Sequence, residues 1–213
     1  MLFGVSKGCS NSQPLGSGNH FAELQIDGEG RLWLMVHSGS RAMGPAIRDH
    51  HLERAPVMGS SGLRALDANS AEGCAYLHDT AWARRYAVAN RQQIAMNIGT
   101  VLTAIIGATL QWDLAITTDH NHVESEPHSG SRFWVHRKGA MAAAHDQWGA
   151  LPGSMGTASF HVHGRGCSQA LCSRYPRCRP CSAGTCQNST RVAASAKLQR
   201  LAGRGVVLAG HFI

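Results

Sequence analysis

Charge is scarce in this chain. Only 15% of its 213 residues are Asp, Glu, Lys or Arg, against 43% that are apolar. That balance excludes wholesale disorder, which needs low hydrophobicity and high net charge. A long hydrophobic run is also missing. The most apolar stretch, Ile94–Leu110, is broken by Asn97, Gly99, Thr100 and Thr103, whereas a membrane helix needs ~20 consecutive apolar residues. The opening MLFGVSKGCSNSQ lacks a charged leader followed by an apolar segment, so no secretory signal is expected. The expectation is a soluble, cytoplasmic protein, long enough for one domain with a sizeable core or for a piece of a larger one.

Acidic residues are absent from both ends. All 13 lie between Glu23 and Asp146. Residues 1–173 carry equal numbers of acidic and basic side chains, so the formal charge of +7 comes entirely from 174–213. Three of the seven cysteines, Cys178, Cys181 and Cys186, crowd into the same tail. A basic, Cys-containing tail has three readings: a nucleic-acid-binding arm, a zinc knuckle on Cys178 and Cys181, or a stretch of coding error. A structural zinc site needs four ligands, and only Cys186 and His211 remain nearby. The tail also lacks the interleaved aromatics of a stacking platform.

Two strand-like runs, His20–Asp27 and Arg31–His37, flank the turn Asp27-Gly28-Glu29-Gly30. A hairpin centred between Gly28 and Glu29 sets His20 opposite His37, where Cα atoms are ~4.5–5.5 Å apart. Two imidazoles so placed suit a shared metal ion; two ordinary surface histidines are the plainer alternative. Small-residue loops flank both: Gly16-Ser17-Gly18-Asn19 before His20, and Ser38-Gly39-Ser40-Arg41 after His37. Such loops let backbone N–H groups approach an oxyanion, and Arg41 adds a planar cation for phosphate.

Asp79–Leu110 predicts one or two scaffold helices, capped by Asp79 or Thr80, with Arg84, Arg85 and Arg91 on a solvated face. The short strand-like run Leu114–Ile116 leads to Asp119-His120-Asn121-His122, where a histidine and an amide stand side by side. Trp134–Ala140 predicts a strand entering a basic turn. Pro152–Ser159 is a Gly/Ser loop of the kind that wraps phosphate. It is not a Walker A loop, and no G-x-S-x-G elbow is present.

Taken in order, GSGNHFAE, HSGSR, HN, VHRKGA and PGSMGTAS closely resemble the RtcB-type RNA ligases, over roughly residues 13–173. The resemblance implies an α+β fold, namely the central part of that family's catalytic domain, incomplete at both ends. The lack of regular βαβ alternation agrees with α+β. It further implies joining of RNA 3′-phosphate or 2′,3′-cyclic phosphate ends to 5′-hydroxyl ends, with GTP and two Mn²⁺ ions, through a guanylated histidine. By the same resemblance His20, His37 and His120 are metal ligands. Asn19, His20, Phe21, Ala22, Glu23, His120, Asn121, Pro152, Gly153, Ser154, Met155 and Ser159 line the guanylate, and Arg41 meets an RNA or nucleotide phosphate.

The chain also departs from the family. The Asp and Cys ligands of its D-x-x-C-G motif have no counterpart, since no Asp precedes Asp27 and Cys9 stands without one. The family's HGAGR motif, which holds the guanylated histidine, is missing too: no histidine lies between His163 and His211. Pro176–Ser182 can be encoded CCA-CGG-TGC-CGG-CCG-TGC-TCN, a choice of codons that read one nucleotide later gives His-Gly-Ala-Gly-Arg-Ala. A frameshift near residues 173–175 therefore accounts for both the missing motif and the composition break. On this reading residues 1–173 are a partial catalytic domain and 174–213 an out-of-frame tail that is not a domain. The expectation is a ligase relative that cannot ligate alone; the alternatives are a non-catalytic Mn²⁺- and nucleotide-binding fragment or a basic RNA-binding protein.

Overall fold

The structure, a computed structural model, describes residues 20–58, 63–152, 158–166, 173–174, 187–191 and 206–211. Strands β1 (Phe21–Asp27) and β2 (Leu32–His37) form the first hairpin, followed by α1 (Met43–Arg54), β3 (Val57–Met58) and β4 (Leu63–Arg64). A 36-residue helix, α2 (Ala71–Ile106), leads to β5 (Leu110–Thr117) and the ribbon of β6 (Asn121–His128) and β7 (Ser131–Lys138). Then come β8 (Met141–Ala142), β9 (Trp148–Leu151), β10 (Ser159–His163), β11 (Ser173–Arg174), β12 (Gln187–Arg191) and β13 (Val206–His211). Helices and strands are mixed, as expected for α+β. Seven strands make the main sheet in the order β5-β13-β2-β1-β12-β10-β9. β13 lies parallel to both β2 and β5, and the other neighbours are antiparallel. Two strands that follow residue 173 thus hold interior places in the sheet.

The hairpin differs from expectation by one residue. Phe21, not His20, stands opposite His37, and Ile26 pairs with Leu32. The turn has three residues rather than two: Gly30 takes φ 78°, and Asp27 N donates to Arg31 O at 3.1 Å. A type I turn closed by a left-handed glycine is the usual three-residue hairpin, and it recentres the pairing on Glu29. Asp27 holds this turn, accepting from Glu29 N, Arg31 N, Arg31 Nε and, across the strands, Trp33 Nε1.

β2 is buried on both faces, which explains its unbroken apolar run. Leu32, Leu34 and Val36 meet Ala95, Leu102 and Ile106 of α2, together with Ala108. Trp33 and Met35 pack on the other face against Ala150. The helix starts eight residues before the expected cap. Ser70 caps it, its side chain accepting from Gly73 N at 3.0 Å, and Gly107 ends it in the left-handed region. Asp79 instead lies within the helix and bonds buried His51 at 2.9 Å. Among the described residues no helix is both long and apolar enough to cross a membrane.

Candidate metal and nucleotide site

His37 ends β2, and His120 lies just beyond β5. Their Nε2 atoms are 3.3 Å apart and their rings are nearly parallel, with an interplanar angle of 8°. Two nitrogens bound to one ion at ~2.0–2.1 Å in a tetrahedral site lie ~3.3–3.4 Å apart; the separation is that of adjacent ligands, and in this structure it is spanned by a hydrogen bond between the two rings. Burial pushes His120 down to about 4, and the neighbouring His37 pushes the same way. The imidazole is therefore neutral at physiological pH, the form a metal needs. Among the described residues no group of three His, Cys, Asp or Glu side chains is arranged to hold a metal ion. The rings of His37 and His120 meet, and the third expected ligand, His20, hydrogen-bonds the His37 backbone. His20 lies just before β1, and burial lowers its pKa, with the Arg41 charge adding to the effect.

The backbone around both histidines is fixed from the helix. Asn90 of α2 donates to Ser38 Oγ at 3.0 Å and to Gly39 O at 3.1 Å, pinning the loop after His37. The next residue, Arg91, reaches Ser38 O and stands 3.6 Å from Asp119, the residue before His120. Arg84 meets the other Asp119 oxygen at 3.1 Å. Arg91 is buried, not solvated as the sequence pattern suggested, and burial lowers its pKa to about 9. Arg84 is partly exposed, and Arg85 fully belongs to the outer face. The loop pinned by Asn90 and Arg91 ends at Arg41, a non-glycine residue held at φ 56° where α1 begins. Left-handed backbone at a non-glycine residue is uncommon and recurs at functional loops.

His120 and Asn121 are held from the opposite side by the basic turn. Gly139 N donates to Asn121 Oδ1 at 2.8 Å, and Ala140 N donates to His120 O at 3.1 Å. Gly139 adopts φ 65° to make this turn. Two motifs separated by a whole ribbon thus form one unit, and the Asn121 side chain also hydrogen-bonds His120.

Strand alternation sorts the expected nucleotide residues. Phe21 stacks on His37, with ring centroids 5.0 Å apart. Ala22 instead packs into the core against α2. Glu23 accepts from Gln25, which also donates to Ser159 Oγ at 3.0 Å. Gln25 and Ser159 are fully buried, so these three side chains form an inner polar link between β1 and β10. Pro152 is half-buried after β9, whereas Asn19, Gly153, Ser154 and Met155 lie outside the described residues. Sequence reasoning missed Gln25, Asn90 and Asp119. The polar series Glu23, Gln25, Asp27 resembles a solvent face until the second face of the sheet is seen to be covered.

His161 of β10 is buried at 2% exposure against the edge of Trp33. Burial pushes its pKa down to about 4; the Asp27 charge opposes this and that of Arg31 adds to it. Its unfolded value is near 6.5, so the unfolded chain binds the extra proton first. Stability from this group is full above pH 6.5, falls as pH drops toward 4 and then levels off. The expected loss is about 3 kcal/mol. Urea unfolding at pH 7 and pH 4.5 should show it together with a similar contribution from His120, so His161→Leu should remove about half of the dependence.

A family model described as tRNA-splicing ligase RtcB matches residues 6–194. The chain belongs to the RtcB family. The match reaches further than the five motifs at both ends, into the basic tail. RtcB relatives include the RNA-splicing ligase RtcB of Escherichia coli, 36% identical over 172 residues, covering 75% of this chain and 42% of that protein. The RNA-splicing ligase RtcB of Mycobacterium tuberculosis is 33% identical over 199 residues, covering 75% and 46% respectively. The tRNA-splicing ligase RtcB of Pyrobaculum aerophilum is 30% identical over 194 residues, covering 70% and 40%. The chain thus spans less than half the length of these RtcB relatives.

Proposed function

We propose that this chain is the central part of the catalytic domain of a GTP- and Mn²⁺-dependent RNA ligase, of the kind that joins 3′-phosphate or 2′,3′-cyclic phosphate ends to 5′-hydroxyl ends. The observation that carries the reading is the nearly parallel pair of buried His37 and half-buried His120 with Nε2 atoms 3.3 Å apart. These two imidazoles would hold manganese. When bound, the ion would supply charge neutralisation at a reacting phosphate. The protein's own groups do the rest. Arg41, on its strained loop, offers a guanidinium to a phosphate; Asn121 presents an amide edge beside His120; Phe21 backs His37. Glu23 and Ser159, tied through Gln25, stiffen the wall on which a guanylate would rest. A histidine corresponding to the family's HGAGR motif is absent from the sequence, so on this reading the chain binds metal and nucleotide without forming the covalent guanylate.

Titrating Mn²⁺ into the chain while following histidine ring resonances tests the proposal. The expected result is paramagnetic broadening at His37 and His120 at lower metal concentration than at exposed His145, with Mg²⁺ giving no broadening. Unchanged His37 and His120 signals would overturn the metal-site reading.

A further inference from the structure

A cavity of about 380 Å³ lies away from the histidine pair, between α1, the start of α2 and the β6–β7 ribbon. Its polar and aromatic walls are Arg48, His51, Arg64, Tyr76, Trp134 and His136, and no Asp or Glu is among its described lining residues. The volume is that of an ordinary small-ligand pocket. Arg48 is exposed and pairs with Asp49 outside the cavity, an ion pair of little strength at an exposed surface. Arg64 donates to Ala55 O at 2.8 Å, which anchors its guanidinium over the end of α1. Trp134 is 47% exposed, as is Trp148, with Trp112 at 44%, and of these three rings Trp134 is the one that lines the cavity.

The ribbon continues this chemistry to the first site. Its pairs Asn121–Lys138, Val123–His136, Ser125–Trp134 and Pro127–Arg132 share one face, because side chains alternate along a strand. That face alternates basic or imidazole groups with an aromatic ring and carries no acid; Glu124 and Glu126 belong to the other face. One end is Asn121, held beside His120. The cavity is lined from Val123 and His136, two residues along, to Trp134, four along, or ~7–14 Å at the rise of an antiparallel strand.

We propose that the cavity takes one base of a single-stranded RNA, stacked on Trp134, with the flanking phosphates held by Arg48 and Arg64. The inference rests on RNA being the substrate of the proposed ligase and adds a contact remote from the ends being joined. Aromatic stacking with interspersed cations is how single strands are held without base-edge readout, and positive charge without acids excludes an acidic surface's usual partners. Duplex RNA, whose bases are already stacked, is a poor ligand for such a cavity.

The test uses a short fluorescein-labelled single-stranded oligoribonucleotide with 3′-hydroxyl and 5′-phosphate ends, without Mn²⁺ or GTP, so that the proposed ligation chemistry plays no part. Fluorescence anisotropy over a salt series is expected to show binding to the chain and weak competition by duplex RNA. Trp134→Ala should weaken affinity about tenfold, the effect of losing one stacked base, and Trp134→Phe should restore most of it. Arg48→Gln, on an exposed helical position, should lower the salt slope by about one. Unchanged affinity in Trp134→Ala together with an unchanged slope in Arg48→Gln would overturn the proposal, as would absence of RNA binding by the unaltered chain. Either failure leaves the Mn²⁺ response of His37 and His120 standing, so the two readings fail separately.

Discussion

Incubated with α-labelled GTP and Mn²⁺, the purified chain is expected to acquire no acid-labile GMP. A phosphoramidate needs an imidazole nucleophile presented to the α-phosphate; after the Pro152–Ser159 loop come His161 and His163 of β10, and no histidine lies between His163 and His211. His211 stands at the end of β13, in register with His37 of the neighbouring strand. It is not carried by a Gly-rich loop comparable to the family's HGAGR motif. The effect is all or none, which makes the measurement decisive. Stoichiometric, acid-labile label on the chain would overturn the inactive reading, and loss of that label in His211→Ala would name the nucleophile. The nucleotide sequence across codons 165–190 complements this: an HGAGR reading one frame away assigns the missing nucleophile to the repaired protein.

Asp119→Ala is expected to destabilise the fold by about 3 kcal/mol, measured by urea unfolding at neutral pH, because it strands a buried guanidinium. Arg91 is only 4% exposed, and burial already lowers its pKa to about 9 even with Asp119 opposing that shift. Arg84, the other partner of Asp119, is partly exposed and is more easily satisfied by water. Removing both charges in Asp119→Ala/Arg91→Met should therefore recover part of the loss. The same ion pair joins the loop after His37 to the residue before His120, so Mn²⁺ broadening at both histidines should also need higher metal concentrations. A cost below 1 kcal/mol, typical of an exposed pair, would show that Arg91 does not depend on Asp119.

Much of the candidate site was legible because its parts are local. The two strands around Gly28–Gly30 needed only alternation and a turn signal, and β1 and β2 fall within a residue of the expected ranges. The strand from Trp134 into a basic turn was likewise visible, with Gly139 at positive φ where the turn forms. The hairpin register was not. It depends on whether Gly30 belongs to the strand or supplies a left-handed third turn residue, and one residue decides which side chain faces His37. The helix start failed for a similar reason: Asp79 is a good cap by type, yet its carboxylate is occupied by His51 from another helix. Arg91 looked like surface because burial of a guanidinium requires Asp119 from the distant loop between β5 and β6. The coupling of Gly139 to Asn121 and the cavity around Trp134 also require tertiary placement, which no spacing within one segment announces.

β13 is the partner that joins β5 to the rest of the main sheet. With strands spaced ~4.8 Å apart, β2 and β5 are held ~10 Å from one another by the strand between them, and the histidines at their ends reach across the same gap. The spacer sets the gap between the ends of β2 and β5 through its backbone, whatever side chains it carries. A synthetic peptide of different sequence but good strand propensity could serve as that ruler, whereas a proline at Leu208 or Ala209 would disturb the distance between two side chains it need not touch.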